Sequence, residues 1–150
     1  MNENGTFEFS CQHGANECHA NKLHACALTH MEMKDAASYI NCTISQHRPA
    51  FASRFCGEAL GFGKAVGSRS FAYNNLIACV NTVEGDLLLA ANGVRTSQAE
   101  PAIQGVPWIM FDNKYDEDVA DESRRDFLAV ACRYLNYDPQ ACMQENEVYL

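Results

Sequence analysis

Apolar residues recur at helical spacing over most of this chain, and strand-like alternation is confined to short stretches. Phe7-Glu8-Phe9-Ser10-Cys11 alternates apolar and polar positions, which predicts a short strand with one buried face. Gly14 ends that strand in a turn, and Asn16 is placed to cap a helix beginning near Glu17. Leu23, Ala27 and Met31 then recur every four residues, with Ile40 and Ile44 further on. That stripe predicts two helices with a break near Lys34-Asp35. Pro49 opens a further short helix over residues 50–60.

Gly61, Gly63 and Gly67 mark a connector. Gly61-Phe62-Gly63-Lys64 is not a phosphate loop, because no strand precedes it and no Lys-Ser/Thr pair closes it. The strongest helical pattern covers residues 74–92, where Leu76, Val80, Val83, Leu87 and Ala91 share a face and Gly93 is a natural stop. Residues 94–105 are polar, contain Pro101 and Gly105, and predict a loop. The β-prone run 106–111 is turned back by Asp112-Asn113-Lys114-Tyr115, predicting a hairpin. A last helix over 118–134 is expected to bury Phe127, Leu128, Ala131 and Leu135, with Asp121 and Glu122 in its first turns. Pro139 and Cys142 fall in the tail.

A chain of 150 residues is the size of one domain, here expected to span 1–150 with residues 1–6 as a flexible polar leader. A net charge of -8 argues against a nucleic-acid partner, since phosphate binding needs a basic surface. No apolar run is long enough for a transmembrane helix. Met1-Asn2-Glu3-Asn4-Gly5 is polar and acidic, unlike the basic and then apolar start of a secretory signal.

The 8 cysteines change this picture. In an oxidising compartment such a set predicts a disulfide framework; in the cytosol it predicts metal or redox chemistry. Asn4-Gly5-Thr6 and Asn41-Cys42-Thr43 both fit the N-glycosylation acceptor pattern and favour the secretory route. All of Cys11, Cys18, Cys26, Cys42, Cys56, Cys79, Cys132 and Cys142 are therefore disulfide candidates. Cys18 and Cys26 lie on one predicted helix, about 12 Å apart at about 1.5 Å per residue. A disulfide needs Cα atoms within about 7 Å, so each of the two requires a partner elsewhere. Cys132 and Cys142 can meet if the tail folds back, and Cys42 and Cys56 flank a helix connection and could pair. The other pairings stay open. Zinc is the competing reading, because His13, His19, His24 and His30 crowd the region of Cys11, Cys18 and Cys26. Their spacing does not make two knuckles of paired ligands, so no metal is expected, and His19, His24 and His30 read as surface residues of a helix.

The stretch from Cys11 to Cys26 resembles the signature of the gamma-interferon-inducible lysosomal thiol reductase (GILT) family. That signature reads C-Q-H-G, two free positions, E-C, two free positions, N, four free positions, C. Cys11, Gln12, His13, Gly14, Glu17, Cys18, Asn21 and Cys26 match every specified position. The resemblance implies an α/β, mainly helical, disulfide-rich chain: part of a thioredoxin-like fold with a helical insertion. It also implies that Val106-Pro107-Trp108 supplies the family's cis-proline loop, with Val106 and Pro107 facing a substrate disulfide.

In the family a helix carrying C-x-x-C precedes the signature, and no two cysteines of this chain have that spacing. The first cysteine of such a pair attacks as thiolate and the second resolves the mixed disulfide. The resemblance thus implies a thiol–disulfide reductase scaffold acting on disulfide-containing proteins, with the chain itself inactive and no cofactor required. The alternative is a secreted GILT-like protein that has lost redox activity and binds a protein partner. Lysosomal or extracellular localisation follows from either. The hairpin near Ile109 and Tyr115 would need cover if its sheet neighbours are absent. The chain then reads as part of a longer protein, or as one covered by Phe7 to Cys11 or by a second copy in a homodimer.

Overall fold

The computed structural model describes residues 7–62, 67–135 and 139–145. The proposed leader, Asn4 and the Gly63-Lys64 part of the glycine connector lie outside the described residues. The described chain is mostly helical and falls into two compact units, Met1–Arg95 and Thr96–Leu150.

The first unit is built around α1 (Ala15–His30), which packs most extensively against α4 (Ser68–Val80) and then against α2 (Met33–Ile44). Leu23, Cys26 and Ala27 of α1 are fully buried, and Ala36 and Tyr39 of α2 meet them from the side. A short 3-10 turn, Pro49–Phe51, leads into α3 (Ser53–Ala59). Gly61 follows α3 at φ 77, and the N–H groups of Phe62 and Gly61 donate to the carbonyls of Gly57 (2.8 Å) and Glu58 (3.1 Å). This is a Schellman stop, and the buried ring of Phe62 closes it from the core side.

Tyr39, Phe62 and Tyr73 form an aromatic cluster with centroids 6.1–6.4 Å apart. The Tyr39 hydroxyl donates to Ser53 Oγ at 2.7 Å. Burial pushes its pKa up to about 12, the Ser53 hydrogen bond opposes this, and Tyr73 adds to it. Gly57 admits the ring of Tyr73 where a Cβ would overlap it. The start of α5 (Val83–Ser97) is tied to α1 by an ion pair from Lys22 to Asp86 and by the contact of His30 Nε2 with Glu84 Oε1.

Several expected elements are corrected. Residues 7–11 are not a strand: Phe7 and Phe9 stack at 5.8 Å in an irregular segment that has no ladder partner among the described residues. Gly14, at φ 86, takes the capping position expected of Asn16, which lies inside the helix. The break after α1 falls at Met31-Glu32 rather than at Lys34-Asp35. The helix expected over 74–92 is two helices, because Asn81 and Thr82 interrupt it with bonds back to Ile77 and Cys79 carbonyls. The interruption changes the helical phase, so Leu76 and Val80 are buried while Val83 and Leu87 are exposed. Gly93 sits within α5 and stops nothing.

In the second unit, α6 (Glu117–Arg125) and α7 (Phe127–Tyr134) replace the single helix expected over 118–134. Asp126 divides them, its carboxylate accepting the Ala129 N–H at 3.1 Å as an N-cap. Consequently Ala120, Ser123 and Val130 are buried, whereas Phe127, Leu128 and Leu135 are exposed. Asp121 and Glu122 lie past the first turn of α6, which Glu117 and Asp118 occupy. The tail forms α8 (Gln140–Glu145), packed on α7. The predicted turn is present: Asp112 and Asn113 adopt φ 49 and 60, and Phe111 and Lys114 exchange both backbone hydrogen bonds. Among the described residues that single bridge is the extent of β pairing. Trp108 and Tyr115 stack at 4.0 Å beside it.

Candidate functional site

All 8 cysteines are paired. Cys42 joins Cys56 and Cys132 joins Cys142, the two pairs that chain proximity suggested. Cys18 and Cys26 find separate partners, Cys11 and Cys79, as their spacing on one helix requires. No thiol in the chain is free to act as a nucleophile.

The Cys11–Cys18 bridge closes the turn that opens α1. Within it the Gly14 N–H donates to the Cys11 carbonyl at 3.0 Å. The backbone N–H of His13 donates to Glu17 Oε2 at 2.5 Å, and His13 Nδ1 lies 3.2 Å from the same oxygen. Glu17 therefore reaches back across the helix start to the residue before the N-cap, one position beyond the N–H that the acid of a capping box would accept from. Gln12 and His13 are exposed, and Asn21 is exposed one turn after Glu17.

His13 precedes α1, and Glu17, Asn21 and His24 follow one another along a face of the helix. With Ile44 at the end of α2 and residues 47–51 they line a cleft of about 450 Å³. Ala20 and Ala50 are the buried positions of its wall, and Arg48 and Phe51 stand at its exposed side. The Arg48 guanidinium lies 5.4 Å from the centre of the Phe51 ring. The spacing of the signature identified its residues but gave no hint of this cleft, because half of the lining comes from another part of the chain.

Two of the histidines read as surface residues are engaged instead. His24 Nε2 lies 2.8 Å from the Thr43 hydroxyl, and burial lowers its pKa. His30 Nε2 lies 2.9 Å from Glu84 Oε1. His19 is exposed as expected. His30, Glu84 and Cys79 approach one another within metal-ligand range, but the Cys79 sulfur is joined to Cys26 and is not a thiolate. The glycosylation candidate Asn41 is exposed on α2, whereas Thr43 of the same sequon is fully buried. In the second unit Val106 and Pro107 are exposed and joined by a cis peptide bond, as is the Glu100–Pro101 pair.

A family model described as gamma interferon inducible lysosomal thiol reductase (GILT) matches residues 1–60, the segment that carries the signature and the cleft. GILT-like protein 1 of Drosophila melanogaster is 27% identical over 149 residues, covering 92% of this chain and 58% of that protein. The gamma-interferon-inducible lysosomal thiol reductase of Carassius auratus is 29% identical over 143 residues, covering 95% of this chain and 54% of that protein. The gamma-interferon-responsive lysosomal thiol protein of Arabidopsis thaliana is 31% identical over 127 residues, covering 82% of this chain and 47% of that protein. The match to the GILT family model thus covers the first 60 residues, and relatives that bear the family's name align over most of the chain. The chain spans about half of the length of these relatives. Among the described residues no helix is long and apolar enough to cross a membrane.

Proposed function

We propose that this protein is a thiol–disulfide reductase of the GILT type, and that residues 1–150 by themselves do not reduce disulfides. One observation carries the reading: all 8 cysteines are joined in pairs and none of them has C-x-x-C spacing. Disulfide exchange starts with attack by a thiolate, and a chain without a thiol has nothing to attack with. The four bridges then have a structural role, holding a helical scaffold together in an oxidising compartment.

The substrates in this reading are disulfide-containing proteins, and the compartment is lysosomal or extracellular, in keeping with the lysosomal names of relatives. The attacking pair would belong to a thioredoxin-like fold of which these residues are one part, read as a single domain. Val106 and Pro107 would then present backbone to the substrate disulfide beside that pair. A second reading is a GILT-like binding protein without redox activity, and the cleft on α1 is the observation in its favour.

The test is an acidic incubation of the 150-residue chain with a protein disulfide and a small thiol. Reduction no faster than with the thiol alone is expected. Turnover above that rate would refute the assigned inactivity.

A further inference from the structure

We propose that the cleft between α1, the end of α2 and the 3-10 turn binds an extended polypeptide segment in which an apolar side chain is followed by an acidic one. The proposal rests on the reading above in one respect: a polypeptide occupant suits a protein that acts on other proteins.

The volume, about 450 Å³, lies within the range of roughly 300–1,000 Å³ typical of ligand clefts. Its apolar wall comprises Ala20, Ile44, Pro49, Ala50 and Phe51. Ile44 and Phe51 are 56% and 64% exposed in this lining, apolar surface that a bound group could bury. An inserted apolar side chain would do so.

Charge selects the second position. The chain carries a net charge of -8, yet Glu17 is the one carboxylate lining the cleft, and it is engaged by His13. Arg48 has no carboxylate partner among the described residues; its guanidinium rests over Phe51 and leaves its N–H groups available. Arginine in that setting recognises a carboxylate through paired hydrogen bonds, and the ring beneath it fixes its direction. The Asn21 carboxamide makes no hydrogen bond among the described residues, so its donor and acceptor are free for a passing peptide group.

The test titrates the oxidised chain with cysteine-free nonapeptides, followed by proton–nitrogen NMR. A central Phe-Glu pair should give saturable shifts clustered at Ala20, Asn21, Arg48 and Phe51. Replacing it by Phe-Lys should weaken binding at least ~10-fold, as should Arg48→Ala, since each removes a charge-assisted pair. Ile44→Ser should weaken it as well, whereas Arg54→Ala, which lies outside the cleft lining, should change nothing. Equal binding of Phe-Glu and Phe-Lys peptides, undiminished binding by Arg48→Ala, or no saturable shift would overturn the proposal. So would 3-phenylpropanoate binding as tightly as the peptide, which would make this a small-carboxylate site. No disulfide is exchanged in this measurement, so its outcome is independent of whether the chain turns over substrate.

Discussion

His24 Nε2 sits 2.8 Å from the Thr43 hydroxyl, and that hydroxyl donates onward to the Ile40 carbonyl at 2.9 Å. A hydroxyl has one proton to give, so Thr43 must accept from His24. The neutral imidazole is thereby held with its proton on Nε2. The contact pins α1 to α2 at the edge of the cleft.

Stability should therefore depend on pH through His24. Burial lowers its pKa below the ordinary 6.5, so the unfolded chain takes up this proton more readily than the folded one. The contribution is fully present above about pH 6.5 and is lost as pH falls towards the lowered folded value. His24→Gln keeps a donor for Thr43 and cannot titrate. Urea midpoints at about pH 7.5 and about pH 5 should fall less on acidification in the variant than in the parent chain. Equal acid losses in both would show that His24 is not the coupled group.

The four disulfides should not be equivalent. Cys26–Cys79 closes a separation of 53 residues and is fully buried between α1 and α4. Cys11–Cys18 closes a separation of 7 at the partly exposed start of α1. Loop-closure entropy alone gives about 4 kcal/mol for the first and about 2 kcal/mol for the second. Double replacement of Cys26 and Cys79 by alanine should lower the denaturation midpoint well beyond the same change at Cys11 and Cys18. Equal losses would contradict this ranking.

Asn41 is accessible only as an amide, not as a sequon. Cys42 is bridged to Cys56, and Thr43 is buried under His24 within a regular helix. Acceptor sequons belong to surface loops, and this one lies in a helix with its Thr43 hydroxyl buried, so any glycan on Asn41 has to be attached before α2 forms and the bridge closes. In a cell-free glycosylation reaction the reduced, unfolded chain should be modified at Asn41 and the folded, oxidised chain should not. Modification of the folded chain at a similar rate would show that α2 opens readily.

Helical content was legible wherever an apolar stripe ran unbroken, as from Leu23 to Met31. Interruptions were not, because Asn81, Thr82 and Asp126 break helices by offering side chains to nearby backbone groups. Periodicity counts apolar positions and takes no account of such competition. Each break rotates the face that follows, so Leu87 leaves the buried face of Leu76, and Phe127, expected to be buried, is exposed. The turn at Asp112-Asn113 was readable because those residue types tolerate positive φ. The strands expected to flank it are reduced to one bridge among the described residues, since a strand needs partners that a local pattern does not supply.

By itself the sequence determined what is local: the spacing of the signature, the proximity that lets Cys42 meet Cys56 and Cys132 meet Cys142, and the absence of any C-x-x-C. The tertiary structure alone decided the joining of Cys26 to Cys79, the burial of His24 and the meeting of Arg48 with the signature face of α1. These depend on which helices lie side by side. That choice is made by the summed burial of many side chains across the chain, not by the residues at the contacts themselves.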